Sequence, residues 1–298
     1  MAARSLLTPL IVIGGQTGTG KTALAMELAE KYGGEIIAAD SRTVYAGMDI
    51  GTAKPTAAER KRVPHHGLDV VRPGGRFSAY DFKQLAETAI EDIAGRGKIP
   101  FLVGGTGLYI DAILYDFAFR ALPDPVIRGK LQEASVHQLQ TMVVARGLSL
   151  PPNAANPRHL QRILENGMAP QQARQLRPRT LLLGLRLPRD ELRRRIEQRV
   201  AAMMAGGLID EVYALRKTYG NVEAFRAPGY QAVAAYLDRV CTLAEAEAVF
   251  VRNDLRLAKR QLTWFKRNAA IHWLPAEDKM CEAESRITAF LQGDNAAF

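Results

Sequence analysis

Gly15-Gln16-Thr17-Gly18-Thr19-Gly20-Lys21-Thr22 follows the apolar run Leu10-Ile11-Val12-Ile13-Gly14 and precedes Ala23-Leu24-Ala25-Met26-Glu27-Leu28-Ala29. Strand, glycine-rich turn and helix therefore come in the order that a phosphate cradle needs, and the pattern G-x-x-x-x-G-K-[ST] is complete. Glycines let successive backbone N–H groups bend toward one anion, and the positive end of the following helix adds to them. Lys21 brings a mobile cation, and the Thr22 hydroxyl is placed to ligate a magnesium ion on the same phosphates. The loop leaves the phosphate compound open: ATP and any diphosphate suit the same donors.

The chain has 298 residues, 47% hydrophobic and 24% charged, with a formal net charge of +9. That is enough to bury a sizeable core in one large domain or two modest ones. Between Arg120 and Arg199 there are 15 Lys or Arg against 6 Asp or Glu, so this segment holds the whole positive excess and favours a polyanionic partner such as nucleic acid. Cys241 and Cys281 stand forty residues apart without C-x-x-C spacing, so neither a zinc site nor a disulfide framework is suggested. No apolar stretch approaches eighteen residues, and no cleavage site follows the N-terminal apolar run, so a cytoplasmic protein without a membrane segment is expected.

Further along, Glu35 to Ala39 reads as a second buried strand ending on Asp40-Ser41-Arg42-Thr43. Ligands of open parallel sheets bind beyond the carboxyl ends of the strands, so Asp40 is expected to face the phosphate loop, although a turn or N-cap role would also place it there. Gly47 to Pro55 and Pro64 to Asp69 read as loops. Ser78 caps a helix with Phe82, Leu85, Ala89 and Ile93 at helical spacing. Ile99 to Val103 is a third strand, followed by Gly104-Gly105-Thr106-Gly107-Leu108-Tyr109. Here three glycines permit close approach to a ligand, and no metal-holding carboxylate of the kind ATP-hydrolysing enzymes use follows the strand. From Phe119 to Thr180, Pro123, Pro125, Pro151, Pro152, Pro157, Pro170 and Pro178 punctuate short Arg- and Gln-rich stretches, which indicates a small helical insertion. Leu181 to Leu187 returns the chain to a strand, and helices follow from Pro188, Leu208, Gly229 and through Ala258 to Arg267. In the last of these Trp264 and Phe265 suit either base stacking or a core.

Taken together, the phosphate loop, Asp40-Ser41 with Tyr45, Gly47 to Pro55, Gly104 to Tyr109 and Ala258 to Trp264 resemble the tRNA dimethylallyltransferase family, in collinear order over nearly the whole chain. The resemblance implies an α/β fold, a P-loop NTPase-like parallel sheet flanked by helices (1–118 and 181–298), with a small helical insertion domain (119–180) that grips the tRNA anticodon stem-loop. It implies transfer of the five-carbon group of dimethylallyl diphosphate to N6 of the adenosine 3′ of the anticodon, by a monomer using Mg²⁺. By this resemblance Gly15, Gln16, Thr17, Gly18, Thr19, Gly20, Lys21 and Thr22 hold diphosphate, with Thr22 on the magnesium. Asp40 is the general base, Thr106 lies near the reacting centre, and Arg199 and Lys21 act on the leaving diphosphate. The tRNA contacts implied are Asp40, Ser41, Arg42 and Thr43; Arg158, His159, Leu160, Gln161 and Arg162; Arg226, Gly229, Tyr230 and Gln231; and Lys259, Arg260, Gln261, Trp264 and Lys266.

The chain departs from the family pattern at several places. Gln16 and Gly18 replace Pro and Ala in the loop. Asn156 and His159 replace Asp and Arg in D-P-x-R-x-x-R, Gln231 replaces a basic residue, and Leu255 stands where an Arg is common. The lost charges fall on the tRNA side. Three other functions share parts of this pattern: a small-molecule kinase, prenyl transfer to free adenine nucleotides, and a phosphate-binding RNA module without catalysis. ATP turnover, labelling of free nucleotide, or an Asp40→Ala variant that keeps full function would mark each of them.

Overall fold

A computed structural model describes residues 8–117, 119, 125–166 and 175–293, in two compact units: one of residues up to Asp116 and from Leu176, the other from Phe117 to Gln175. Pro123, Pro170 and Arg120 of the expected insertion lie outside the described residues.

In the larger unit six strands, β1 (Leu10–Gly15), β2 (Gly34–Ala39), β3 (His65–His66), β4 (Ile99–Gly104), β5 (Thr180–Leu185) and β6 (Ile271–Trp273), form one sheet in the order β3-β2-β4-β1-β5-β6. Every pairing is parallel. The alternation of β1 explains the two layers of helix around it. Ile11 and Ile13 pack with Leu24 and Leu28 of helix Lys21–Lys31 and with Ile287 of helix Lys279–Gln292. Leu10 and Val12 point the other way, onto Phe82 and Ile90 of helix Ala79–Gly95, Ile110 of helix Gly107–Leu114, and Phe265. A third core joins helices Arg189–Ala205, Leu208–Tyr219, Pro228–Leu237 and Leu243–Phe265 to the Val44–Met48 segment.

Two strands lie outside the sequence reading. Pro64 to Asp69 is not all loop, because His65 and His66 pair with Ile36 and Ile37 as an edge strand. The His66 ring lies 2.7 Å from Glu35, a carboxylate held well below its usual range by Arg96 first and by Lys98 and His66 after it. Glu35 at the start of β2 is thus a structural anchor, and Asp40 just past its end is free for another use. The other strand is β6, which adds an edge beyond β5.

The Gly47–Pro55 loop is fastened by carboxylates and a lysine. Glu211 accepts backbone N–H bonds from Asp49 (2.9 Å), Ile50 (2.7 Å) and Gly51 (3.1 Å), and the Tyr230 hydroxyl donates to it as well. Lys54 is buried and donates to the Tyr45 carbonyl, Asp49 and Asp69. A glutamine at 211 has one acceptor oxygen instead of two, so Glu211→Gln leaves donors unpaired, at a cost of about 2 kcal/mol. Amide exchange at Asp49, Ile50 and Gly51 is expected to quicken about 30-fold, and unchanged rates would show that Glu211 does not hold the loop.

The smaller unit is helical. Helices Pro125–Glu133, Val136–Ala145 and Pro157–Asn166 close around Leu131, Leu139, Val143, Leu160 and Leu164. Ser135 and Gln138 form a reciprocal cap at the start of the second.

Candidate active site

The phosphate loop lies at the carboxyl end of β1. Gly15 adopts φ +140, and a side chain there would meet the Leu185 carbonyl at 2.2 Å, so the loop leaves the sheet in a way that only glycine allows. The helices starting at Ala57, Ala79 and Leu243 carry capping boxes from Thr56, Ser78 and Thr242. Helix Lys21–Lys31, like those starting at Gly107, Arg189, Leu208, Pro228 and Lys279, has no side-chain cap, and it starts on Gly20 in a left-handed conformation. Its first N–H groups are left for an external acceptor, which is the arrangement an anion requires.

The loop is braced from inside. The Thr19 hydroxyl donates to the Gln16 carbonyl at 2.8 Å, and Lys21 Nζ to the same oxygen at 2.5 Å. Gln16, where the resemblance would have Pro, is buried: its amide donates to the Ala258 carbonyl (3.4 Å) and accepts from Leu187 N–H (3.3 Å). Gln161 and Gln261 were both expected at tRNA, and the structure uses each internally. The Gln261 amide oxygen accepts the Thr17 N–H at 2.7 Å and its nitrogen packs on Gly105, whereas Gln161 donates to the Leu131 carbonyl at 3.0 Å. The close approaches expected of Gly104 and Gly105 are thus made toward protein, Gly104 against the Ala39 carbonyl and Gly105 against Gln261.

The ends of β2 and β4 meet beside the loop. The Thr106 hydroxyl accepts Ser41 N–H at 3.0 Å and Thr106 N–H donates to the Ala39 carbonyl at 3.1 Å, so Thr106 pins Asp40-Ser41 to the β4 tip. Arg42 N–H donates to Asp40 Oδ1 at 2.8 Å and fixes the carboxylate in a turn. That is the turn role open for Asp40 in sequence, and the carboxylate also acts through its charge on Lys21 of the loop. Burial pushes the Lys21 ammonium down to about 8, Asp40 opposing that fall and Arg199 adding to it. Lys21, Asp40 and Arg199 therefore share one electrostatic site. Arg199 reaches it from helix Arg189–Ala205, its Nη1 donating to Thr17 Oγ1 at 2.7 Å. The Thr22 hydroxyl stands on the first helical turn, and Thr22 is exposed.

Asp254 carries no signal in the sequence reading above. It is buried, and one of its oxygens lies 3.4 Å from Arg199 Nη2. Its sequence mark is a break in an apolar stripe, since Ala246, Phe250, Asp254 and Ala258 recur every four residues on the buried face of helix Leu243–Phe265.

The expected tRNA contacts divide by exposure. Arg158, His159, Arg162, Arg226, Gln231, Lys259, Arg260 and Lys266 are exposed, and Ser41 and Arg42 are half-buried. Thr43, Leu160, Gly229 and Tyr230 are buried, Leu160 in the core of the smaller unit and Tyr230 beneath Phe225, where its ring stacks at 5.8 Å. An aromatic residue after a glycine reads alike as a stacking platform or a core anchor, and here the core takes it. Phe265 is likewise core, while Trp264 is half-buried with its indole N–H on Asp111 at 3.0 Å.

This geometry has counterparts among known proteins. The model of the IPP transferase family matches residues 43–268, and that described as isopentenyl transferase matches residues 8–73. The chain belongs to the IPP transferase family. It is 42% identical over 287 residues to a tRNA dimethylallyltransferase of Desulforudis audaxviator, covering 91% of this chain and 93% of that one. With the tRNA dimethylallyltransferase of Bacillus subtilis the identity is 39% over 282 residues, 89% and 90% of the two chains. Among solved structures, the full-length tRNA isopentenylpyrophosphate transferase of Bacillus halodurans is 36% identical with a TM-score of 0.76, covering 97% of this chain and 98% of its own. A eukaryotic dimethylallyltransferase acting on tRNA gives a TM-score of 0.82 at 26% identity, covering 96% and 80%. The P-loop NTPase-like sheet is thus the scaffold of a transferase family. Among the described residues, no helix is long and apolar enough to cross a membrane.

Proposed function

We propose that this chain transfers the dimethylallyl group of dimethylallyl diphosphate to N6 of the adenosine 3′ of a tRNA anticodon. The observation that carries this reading is an uncapped phosphate loop on which Lys21 and Arg199 both make contacts, within the field of the Asp40 charge, in a family whose members are named tRNA dimethylallyltransferases. The diphosphate lies on the loop N–H groups with Lys21 and Arg199 on its oxygens. The adenine amine is a weak nucleophile because its lone pair is delocalised, so the allylic C–O bond breaks well ahead of C–N bond formation. The bond electrons leave with the diphosphate, where preset cations stabilise them. N6 bonds to the allylic carbon, and its proton passes to the Asp40 carboxylate, which the Arg42 N–H and the Thr106–Ser41 contact hold in place.

Magnesium fits the donor set as a diphosphate-borne ion. Among the described residues no His, Cys, Asp or Glu cluster could cage a metal, and the exposed Thr22 hydroxyl supplies one oxygen, a pattern that suits an ion that keeps its waters and phosphate ligands. Bound there, it would neutralise diphosphate charge. The exposed Arg158, His159, Arg162, Arg226, Lys259, Arg260 and Lys266 supply the phosphate contacts of a tRNA, and the helical insertion, 119–180, takes the anticodon stem-loop. A tRNA acceptor suits a cytoplasmic enzyme.

The test is transfer from labelled dimethylallyl diphosphate to unmodified tRNA with adenosine 3′ of the anticodon, in magnesium and without ATP. Label at that adenosine is expected. ATP turnover, or label only in free nucleotide, would overturn the reading.

A further inference from the structure

Helix Leu243–Phe265 places one charge where its pattern calls for an apolar residue. Asp254 is 2% exposed, between Phe250 and Ala258 in the stripe that faces the core. A buried carboxylate is costly unless ion pairing and hydrogen bonds compensate it. Arg199 is its ion-pair partner among the described residues, at a loose 3.4 Å, and Asp254 Oδ2 and Arg199 Nε are both buried without a hydrogen bond. Such a pair is poorly built for stability, and burial together with Asp40 raises the carboxyl above its usual range. Among the described residues, the hydrogen bond of Arg199 goes to the Thr17 hydroxyl of the phosphate loop.

We propose that Asp254 is a charge counterweight to Arg199: it lowers the resting positive charge of the phosphate loop, so that the diphosphate product is released rather than retained. The same donors that stabilise departing diphosphate also bind it as product. Binding that is equal in ground and transition states adds nothing to turnover once the site is full. Removing Asp254 has two opposed effects on a bound anion. Loss of its hold on the guanidinium costs at most about tenfold, the worth of one immobilised long side chain, and the Thr17 contact keeps part of that hold. Loss of a negative charge from beside the guanidinium that contacts the loop acts the other way on a multiply charged anion, and at the effective dielectric of a protein site it is the larger of the two. The net expectation is tighter binding.

This rests on the prenyl-transfer reading for its meaning, but its test needs no acceptor. Inorganic pyrophosphate with magnesium is titrated calorimetrically at pH 7.5 into the wild-type full chain and into Asp254→Asn. Kd is expected to fall at least about tenfold in the variant, a gain that a merely damaged site does not produce. An unchanged or higher Kd would overturn the proposal. Should Asp254→Asn alone fail to fold, Arg199→Gln is compared with Arg199→Gln/Asp254→Asn, which removes the two buried charges together. Tighter pyrophosphate in the double variant supports the proposal, and equal or weaker binding overturns it. Absence of prenyl transfer by the wild type would refute the functional reading and leave this comparison intact.

Discussion

Asp40→Asn is expected to lower kcat for prenyl transfer by about 10²–10⁴-fold while changing KM for dimethylallyl diphosphate little. Asparagine keeps the volume and an oxygen for the Arg42 N–H, so the turn after β2 survives. What it loses is the ability to take the N6 proton. In the proposed mode of binding the diphosphate contacts come from the loop, Lys21 and Arg199, none of which the substitution removes. Single-turnover transfer with saturating tRNA measures the chemical step directly. A rise in KM with kcat intact would assign Asp40 to substrate positioning alone. A second consequence carries a definite sign. Asp40 raises the proton affinity of Lys21, which burial has pushed down to about 8. In Asp40→Asn the residual activity should therefore lose its alkaline side at a lower pH than in the wild type.

The parts of this site that were legible in sequence are those fixed by backbone chemistry. The glycine pattern of residues 15–20 dictates the loop, the alternation of Leu10 to Ile13 dictates helices on both faces, and strand ends dictate where Asp40 and Thr106 stand. Short edge strands carry no such period: His65–His66 and Ile271–Trp273 pair only because a neighbouring strand offers an open edge. Side-chain roles on helices were the least legible. Gln261 and Tyr230 sit in stretches that resemble RNA contacts, yet Gln261 turns onto the Thr17 N–H and Tyr230 onto Glu211. Which face of a helix a polar residue occupies depends on what packs there, and that partner is more than two hundred residues distant for Gln261 and Thr17. Asp254 alone left a local mark, as a charge inside an apolar i, i+4 stripe.

Lys21→Met is expected to reduce kcat/KM for dimethylallyl diphosphate by roughly 10²–10³-fold, the usual loss when one preset donor to a developing anion is removed. Methionine keeps most of the stem and removes the charge, so the change reports electrostatics more than packing. The wild-type pH profile tests the same assignment. Lys21 has an ordinary value of 10.5 that burial lowers to about 8, so kcat/KM should fall as pH rises through about 8 and the cation is lost. Stability should move the opposite way. Between about 8 and 10.5 the unfolded chain holds a proton that the folded chain has released, so the Lys21 contribution to stability rises with pH across that window, and its cost is fully present below about 8. Lys21→Met removes both trends at once. Its residual activity should be flat through pH 8, and its stability should lack the rise that the wild type shows between about 8 and 10.5. An alkaline fall in kcat/KM that persisted in Lys21→Met would assign that limb to another group. The loop thus holds a cation at a cost to the fold, and on the proposed reading a diphosphate offsets that cost by giving the ammonium an anion beside the Gln16 carbonyl.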